Sequence, residues 1–326
     1  MMVKTQKTSS PAAKQDQTIG FELTPALIAF RRTAGDANRH LNTLLVALET
    51  LKSNTPIRPK GLVVPWTKPS VKKEWDDSRN FVLKGCMIAV VDALDQYMRV
   101  VSRISGLASP KLDDVLNGRR KAGEDRRPTV AERFEALANH YPKTLPLQYV
   151  AALHLLVTWR NRFVHHDYRF GLPLPIRKTL KAAGPLFAEE FNKTDIVSAL
   201  DRFTQRQPPM LDDLATLIAI TQRVARRMDE HLLQLQNGAD YAMSLMRYLI
   251  EVSEDPKAFV DGTWKHGGDQ SAGRVHALFL DNGGNHDPDR LPYAPSITRA
   301  ELNGLFAFGR NKARHVFGII PNGSST

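Results

Sequence analysis

Apolar residues return every three or four positions through Leu23, Leu27, Phe30, Ala34, Ala37, Leu41, Leu44, Leu48 and Leu51, which predicts one long amphipathic helix. A second helical stripe runs through Leu83, Met87, Val90, Leu94, Tyr97, Val101 and Ile104, with Asp92, Asp95, Arg99 and Arg103 clustered on another face. A shorter helix is predicted from about Thr129 to His140. It opens on Pro128 and Thr129 with Glu132 three residues on, the spacing of a capping box. The fourth runs from about Leu147 to Asp167 on Val150, Leu153, Leu156, Val157 and Val164, and another from about Met210 to Leu235 on Leu211, Leu214, Ile218, Met228 and Leu232. Strand-type alternation is nowhere convincing and no solenoid period recurs, so the expected fold is all-α.

The punctuation divides the chain. Residues 1–20 are polar and are expected to form a disordered tail. A helical bundle is expected over 21–237, with a proline-rich connection at 54–70 and a turn-prone basic loop at Asn117-Gly118-Arg119-Arg120-Lys121, continued by Arg126 and Arg127. Past Pro208-Pro209 and Gly238 the composition shifts toward glycine, histidine and short elements, which predicts a smaller C-terminal helical region over 238–326. At 326 residues the chain has room for two cores. No apolar stretch approaches a membrane span and the N-terminus has no signal-like apolar core, so a soluble cytoplasmic protein is expected. The lone Cys86 permits neither a disulfide framework nor a cysteine zinc site and reads as a packed core thiol. Lys and Arg outnumber Asp and Glu by 45 to 34. The resulting formal charge of +11 points to a polyanionic partner without choosing among RNA, DNA and an acidic protein.

Candidate chemistry gathers in Trp159-Arg160-Asn161-Arg162-Phe163-Val164-His165-His166, near the end of the fourth helix. Arginine can hold a phosphate through two parallel charge-assisted hydrogen bonds. An imidazole titrating near neutrality can take a proton from a ribose hydroxyl or return one to a leaving oxygen. The candidate catalytic residues are therefore Arg160, Asn161, His165 and His166, and the chemistry asks for no metal or cofactor.

This arrangement resembles the Arg-x(4–6)-His signature of the HEPN superfamily, small all-helical bundles that include many metal-independent ribonucleases of prokaryotic defence and toxin systems. Arg160 to His165 leaves four intervening residues and Arg160 to His166 five, and Asn161 matches the polar residue that commonly follows the family's arginine. The resemblance implies a HEPN-like bundle, an RNA substrate, and a two-fold dimer in which both copies of the motif line one cleft. That last point answers a difficulty in the residues themselves. On a helix Arg160 and His165 are about 140° apart, so one isolated helix cannot focus both on one phosphate. His166-Asp167-Tyr168 also resembles the His-x-Tyr of HEPN toxins whose tyrosine is modified by a nucleotidyltransferase antitoxin, which makes Tyr168 a candidate modification site and an antitoxin or regulatory protein a candidate partner. Many sites of this kind take an acidic residue from another helix, and Asp92 or Asp95 could serve. The blander alternative has Arg160 and Arg162 as solvated or salt-bridged helix residues and the two histidines as a favourable helix C-terminus.

Arg-Asn-x-x-x-His recurs at 310–315. There the run from Ile297 to Phe317 looks like a helix-turn-helix over 297–318, with Leu302, Phe306, Phe308, Ala313 and Val316 at the apolar positions and Arg310, Asn311, Lys312 and Arg314 on the recognition helix. Candidate nucleic-acid contacts are then Arg162, Arg119, Arg120, Lys121, Arg310, Lys312 and Arg314. His266, His276 and His286, with Asp281, Asp287 and Asp289, match no zinc or calcium spacing and read as a polar loop. The expectation is an endoribonuclease of toxin or anti-phage systems. The alternatives are a DNA-binding helix-turn-helix regulator that uses the bundle to dimerise or sense, and a catalytically inert HEPN scaffold.

Overall fold

The computed structural model describes residues 18–53, 71–120, 126–165, 171–191, 195–287, 291 and 293–319. The elements follow as β1 (Ile19–Phe21), α1 (Pro25–Ser53), α2 (Val71–Arg103), a 3-10 turn at Pro110–Leu112, α3 (Asp113–Leu116), α4 (Val130–His140), α5 (Leu147–Val164), α6 (Leu174–Ala182), α7 (Gly184–Glu190), α8 (Ile196–Thr204), α9 (Leu211–Gln234), α10 (Gly238–Val252), α11 (Pro256–Thr263), α12 (Gly268–Asp281), β2 (Gly284–Asn285), β3 (Ser296–Ile297), α13 (Arg299–Phe306) and α14 (Arg310–Val316). The fold is all-α. Three short strands form an antiparallel sheet in the order β2-β1-β3, too short for an alternation to show in the sequence. Ile19 and Gly20, expected in the N-terminal tail, belong to its central strand, and Ile19 is fully buried. The described residues divide into two compact units. One holds residues up to 28, 100–110 and from 229 onward; the other holds 29–99 and 111–228.

The second unit is built around α5. Every residue from Tyr149 to Trp159 is buried, the mark of a helix apolar on all sides at the centre of a bundle. Helices α4 and α6 pack on it, and α6 on α8. Trp159 anchors its C-terminal half, with its ring edge-on to Phe203 at 5.8 Å and its indole Nε1 donating to the Gln207 carbonyl at 3.3 Å. Cys86 is buried on α2, and burial pushes its thiol up to about 11, which suits packing and not reactivity.

The capping box at α4 forms as its spacing predicts: Glu132 N donates to Thr129 Oγ1 at 3.3 Å and Thr129 N to Glu132 Oε2 at 2.7 Å. Thr129→Ala is expected to cost about 1 kcal/mol of stability in denaturant unfolding. The Arg126 guanidinium bonded to Glu132, helped by the Thr129 backbone, holds that carboxyl down to about 2, against an ordinary value of 4.5. A carboxylate depressed on folding stabilises the folded state above its unfolded pKa, and this contribution disappears as pH falls from about 4.5 to about 2. Acid titration of Glu132→Gln should show a shallower stability loss over that window; an identical slope would mean the pair is not formed in solution.

In the first unit, Phe21 of β1 meets Tyr241 and Phe279 edge-on, and Phe279 meets Phe306 in the same way. Asp229 is wholly buried and accepts from Thr24 N at 3.0 Å and Thr24 Oγ1 at 2.5 Å, closing the start of α1. Backbones come close at Gly238, where a Cβ would lie 1.7 Å from the Ser296 carbonyl oxygen. Gly238→Ala must push β3 away, and a loss of about 3 kcal/mol is expected in thermal unfolding. An unchanged melting temperature would contradict that contact.

Candidate active site

The end of α5 holds its polar residues in different ways. Arg160 reaches across to α2, where its Nη2 donates to Asp92 Oδ1 at 2.8 Å, while its Nη1 donates to Asn161 Oδ1 at 3.2 Å. The arginine side chain is 20% exposed and Asp92 is 58% exposed, so the pair sits at the rim of the bundle. Arg160 Nε is buried without a partner. Asn161 is buried, and its carbonyl accepts the His165 backbone N–H at 2.9 Å, ending the helix there. His165 is the C-cap, in extended backbone, with its side chain exposed. Helical geometry thus continues through Val164, and an ideal helix sets positions 160 and 165 about 140° apart. Lys84 of α2 stands over the Phe163 ring at 4.9 Å. His166, Asp167 and Tyr168 lie outside the described residues, as does Lys121.

Arg162 packs against α8. Its guanidinium lies 3.6 Å from the Phe203 ring centroid, and its Nη1 donates to the Phe203 carbonyl at 2.6 Å. The guanidinium thus packs on the aromatic face and bonds the carbonyl at the end of α8, which also accepts from Arg206 N at 3.1 Å.

Two further polar networks flank the motif, neither encoded by a local spacing. His154, buried within α5, places Nε2 at 3.1 Å from Glu135 Oε2 of α4, and this bond holds the Glu135 carboxyl below the usual range. Arg133 is also buried. Its Nη1 donates to the Leu116 carbonyl at 2.9 Å and its Nη2 bonds Asp95, which in turn accepts from Arg99 Nε at 3.0 Å. Burial opposes the Arg133 charge and draws its pKa down. Asp95 is therefore taken up by two arginines. Of the two acidic candidates, Asp92 alone meets the motif.

In the unit that holds the C-terminal residues, α13 and α14 are joined by Ala307, Phe308 and Gly309. Arg314 pairs with Asp261 of α11 through both guanidinium arms, with Nε at 2.7 Å from Oδ1. Arg310 Nε is buried and Ala313 is fully buried, so the face carrying all three turns into the unit. Asn311, Lys312 and His315 remain exposed. Trp264 stacks on Phe308 at 5.7 Å and donates from Nε1 to the Phe306 carbonyl, fixing the hairpin to the unit. His276 and His286 bring their rings to 5.2 Å, yet among the described residues no group of three His, Cys, Asp or Glu side chains is placed to hold a metal. Among the same residues no helix is long and apolar enough to cross a membrane.

No family model matches the chain, and neither does any curated protein or solved structure.

Proposed function

We propose that the chain is a HEPN-type endoribonuclease that works without a metal, acts in the cytoplasm in a toxin or anti-phage role, and cleaves RNA as a homodimer. The observation that carries this reading is the clamp on Arg160. A guanidinium steered by Asp92 and Asn161 stands at the rim of a basic chain, close in sequence to an exposed imidazole at a helix end. Asp92 is exposed enough to yield, so a phosphate can exchange for it at one guanidinium arm while Asn161 keeps the other in place.

The reaction begins with His165 or its neighbour His166 taking the proton of a ribose 2′-hydroxyl. The 2′-oxygen attacks the adjacent phosphorus, and Arg160 stabilises the charge that builds on the phosphoryl oxygens. The bond to the 5′-oxygen breaks, that oxygen takes up a proton from a histidine, and the products carry 2′,3′-cyclic phosphate and 5′-hydroxyl ends. A two-fold dimer brings the histidine of one copy to the arginine of the other. Phe81 supports such an interface: it is 76% exposed one turn before Lys84, which covers Phe163. An antitoxin or regulatory protein fits the same role as a partner.

A DNA-binding regulator is the second reading, favoured by the α13–α14 hairpin and its exposed Asn311 and Lys312. A two-turn helix with Arg314 tied to Asp261 offers fewer phosphate contacts than such a module uses. A catalytically inert scaffold is the third. Incubation with total RNA, alongside mobility shifts on duplex DNA, separates them. RNA fragmentation without a discrete DNA complex is expected, and a sequence-selective DNA complex without fragmentation would replace the nuclease with the regulator.

A further inference from the structure

Arg119, Arg120 and Arg127 line a concavity of about 610 Å³ together with Asn117 and Gly118. Gly118 has φ +68°, a conformation glycine adopts without strain, and a Cβ there would come to 3.1 Å of Arg133 Nη1. Gly118 thus packs directly against the buried Arg133 guanidinium, whose Nε has no partner. Positive charge is in excess. Asp95 serves both Arg99 and Arg133, and Asp114 serves Arg119 in a pair whose members are each 72% exposed. Such an exposed pair is worth at most about 1 kcal/mol and exchanges readily for another anion. Arg120 and Arg127 have no carboxylate partner among the described residues.

One contact links the rim of the concavity to α2, the helix that also carries Asp92. Arg99 Nη1 donates to the Asn117 carbonyl at 3.4 Å, and Arg99 stands two turns from Asp92, the residue that holds Arg160. Residues seven apart share a helix face and lie about 10 Å apart along the axis, the rise of about three stacked nucleotides. We propose that this concavity is a phosphate seat that takes a backbone phosphodiester of the RNA a few nucleotides from the scissile bond. The seat rests on the nuclease reading for its ligand and on the arginine cluster for its chemistry. Arg120 and Arg127 grip the phosphate, and Arg119 joins them by releasing Asp114.

The test uses the full chain and a fluorescent 12-nucleotide 2′-O-methyl RNA, which cannot be cut by attack of its own 2′-oxygen, with anisotropy recorded over a range of salt. Arg120→Gln with Arg127→Gln is expected to bind about tenfold more weakly at low salt. Its log K against log salt should be shallower by about 0.7, the one phosphate that the seat neutralises. Arg120→Lys with Arg127→Lys keeps the charges and should restore most of the slope, which unfolding would not allow. Equal affinity and slope in the Gln variant would overturn the seat and leave the nuclease untouched. Inorganic phosphate that broadens in a ³¹P titration with the wild type and not with the Gln variant, while both bind RNA equally, would also overturn it in favour of a free phosphate. Weakened RNA binding by a protein that cuts no RNA would uphold the seat and remove the nuclease.

Discussion

Arg160→Lys should lose RNA cleavage by a factor of at least about 100 while the bundle stays folded. Lysine keeps one charge but gives up the planar fork that bonds Asp92 with one arm and Asn161 with the other, and with it the orientation of the arm offered to a phosphate. Removing a single charge-stabilising donor from an acyl- or phosphoryl-transfer site costs about 10²–10³ in turnover. The lysine substitution is the informative one. Arg160 is mostly buried, so Arg160→Ala also removes packing between α5 and α2, and a dead alanine variant would confound chemistry with folding. Asp92→Asn makes the complementary point. It keeps the bond acceptor for Arg160 and removes the charge a phosphate must displace, so KM for RNA should fall or hold steady while kcat falls by less than tenfold. Full activity in Arg160→Lys, measured at saturating RNA, would return Arg160 to the role of a structural ion pair.

The second large effect is complementation between two dead proteins. His165→Ala is expected to lose about 10²–10⁴ of turnover, because the proposed general base is gone. If arginine and histidine converge across a two-fold axis, a mixed dimer of Arg160→Lys and His165→Ala chains contains one site with both groups intact. Random mixing then makes half the dimers mixed with one good site of two, so cleavage should return to about a quarter of the wild-type rate. Helix geometry drives the expectation, since α5 runs to Val164 and an ideal helix sets positions 160 and 165 about 140° apart. Continued inactivity after mixing and subunit exchange would place both groups in one chain. A variant His166→Ala that is dead while His165→Ala remains active would move the base to the neighbouring residue.

What the sequence revealed follows the range of the interactions involved. The capping box at Thr129 and Glu132 and the boundaries of α4 and α9 rest on contacts within one or two turns, and they are legible from spacing alone. So is the central place of α5, because few polar residues interrupt Leu147 to Trp159. The first turns of α2, from Val71, were missed because Lys72, Lys73, Asp76 and Asp77 leave no apolar stripe to mark them. Helices α6, α7 and α8 are nine residues or fewer, and two of them carry proline near the start, so no periodicity accumulates. At the site, Arg160 and Asp92 are 68 residues apart and His154 and Glu135 belong to different helices. Composition and motif spacing place each residue on its own helix and say nothing of which faces meet. The same limit explains Arg162 and Arg314. Their charges read as open to solvent until Phe203 and Asp261, brought in by other helices, are seen to occupy them.

The most direct measurement is the chemistry of the ends produced from a defined RNA in the presence of EDTA. The wild type should cleave at an undiminished rate with the chelator and leave 2′,3′-cyclic phosphate and 5′-hydroxyl termini, because a histidine and an arginine suffice for proton transfer and charge stabilisation. A 2′-deoxy substitution at the cleaved position should block that cut, and His165→Ala should leave the RNA whole. Loss of cleavage in EDTA with recovery on adding a divalent ion, or products bearing 5′-phosphate, would contradict attack by the 2′-oxygen at the end of α5.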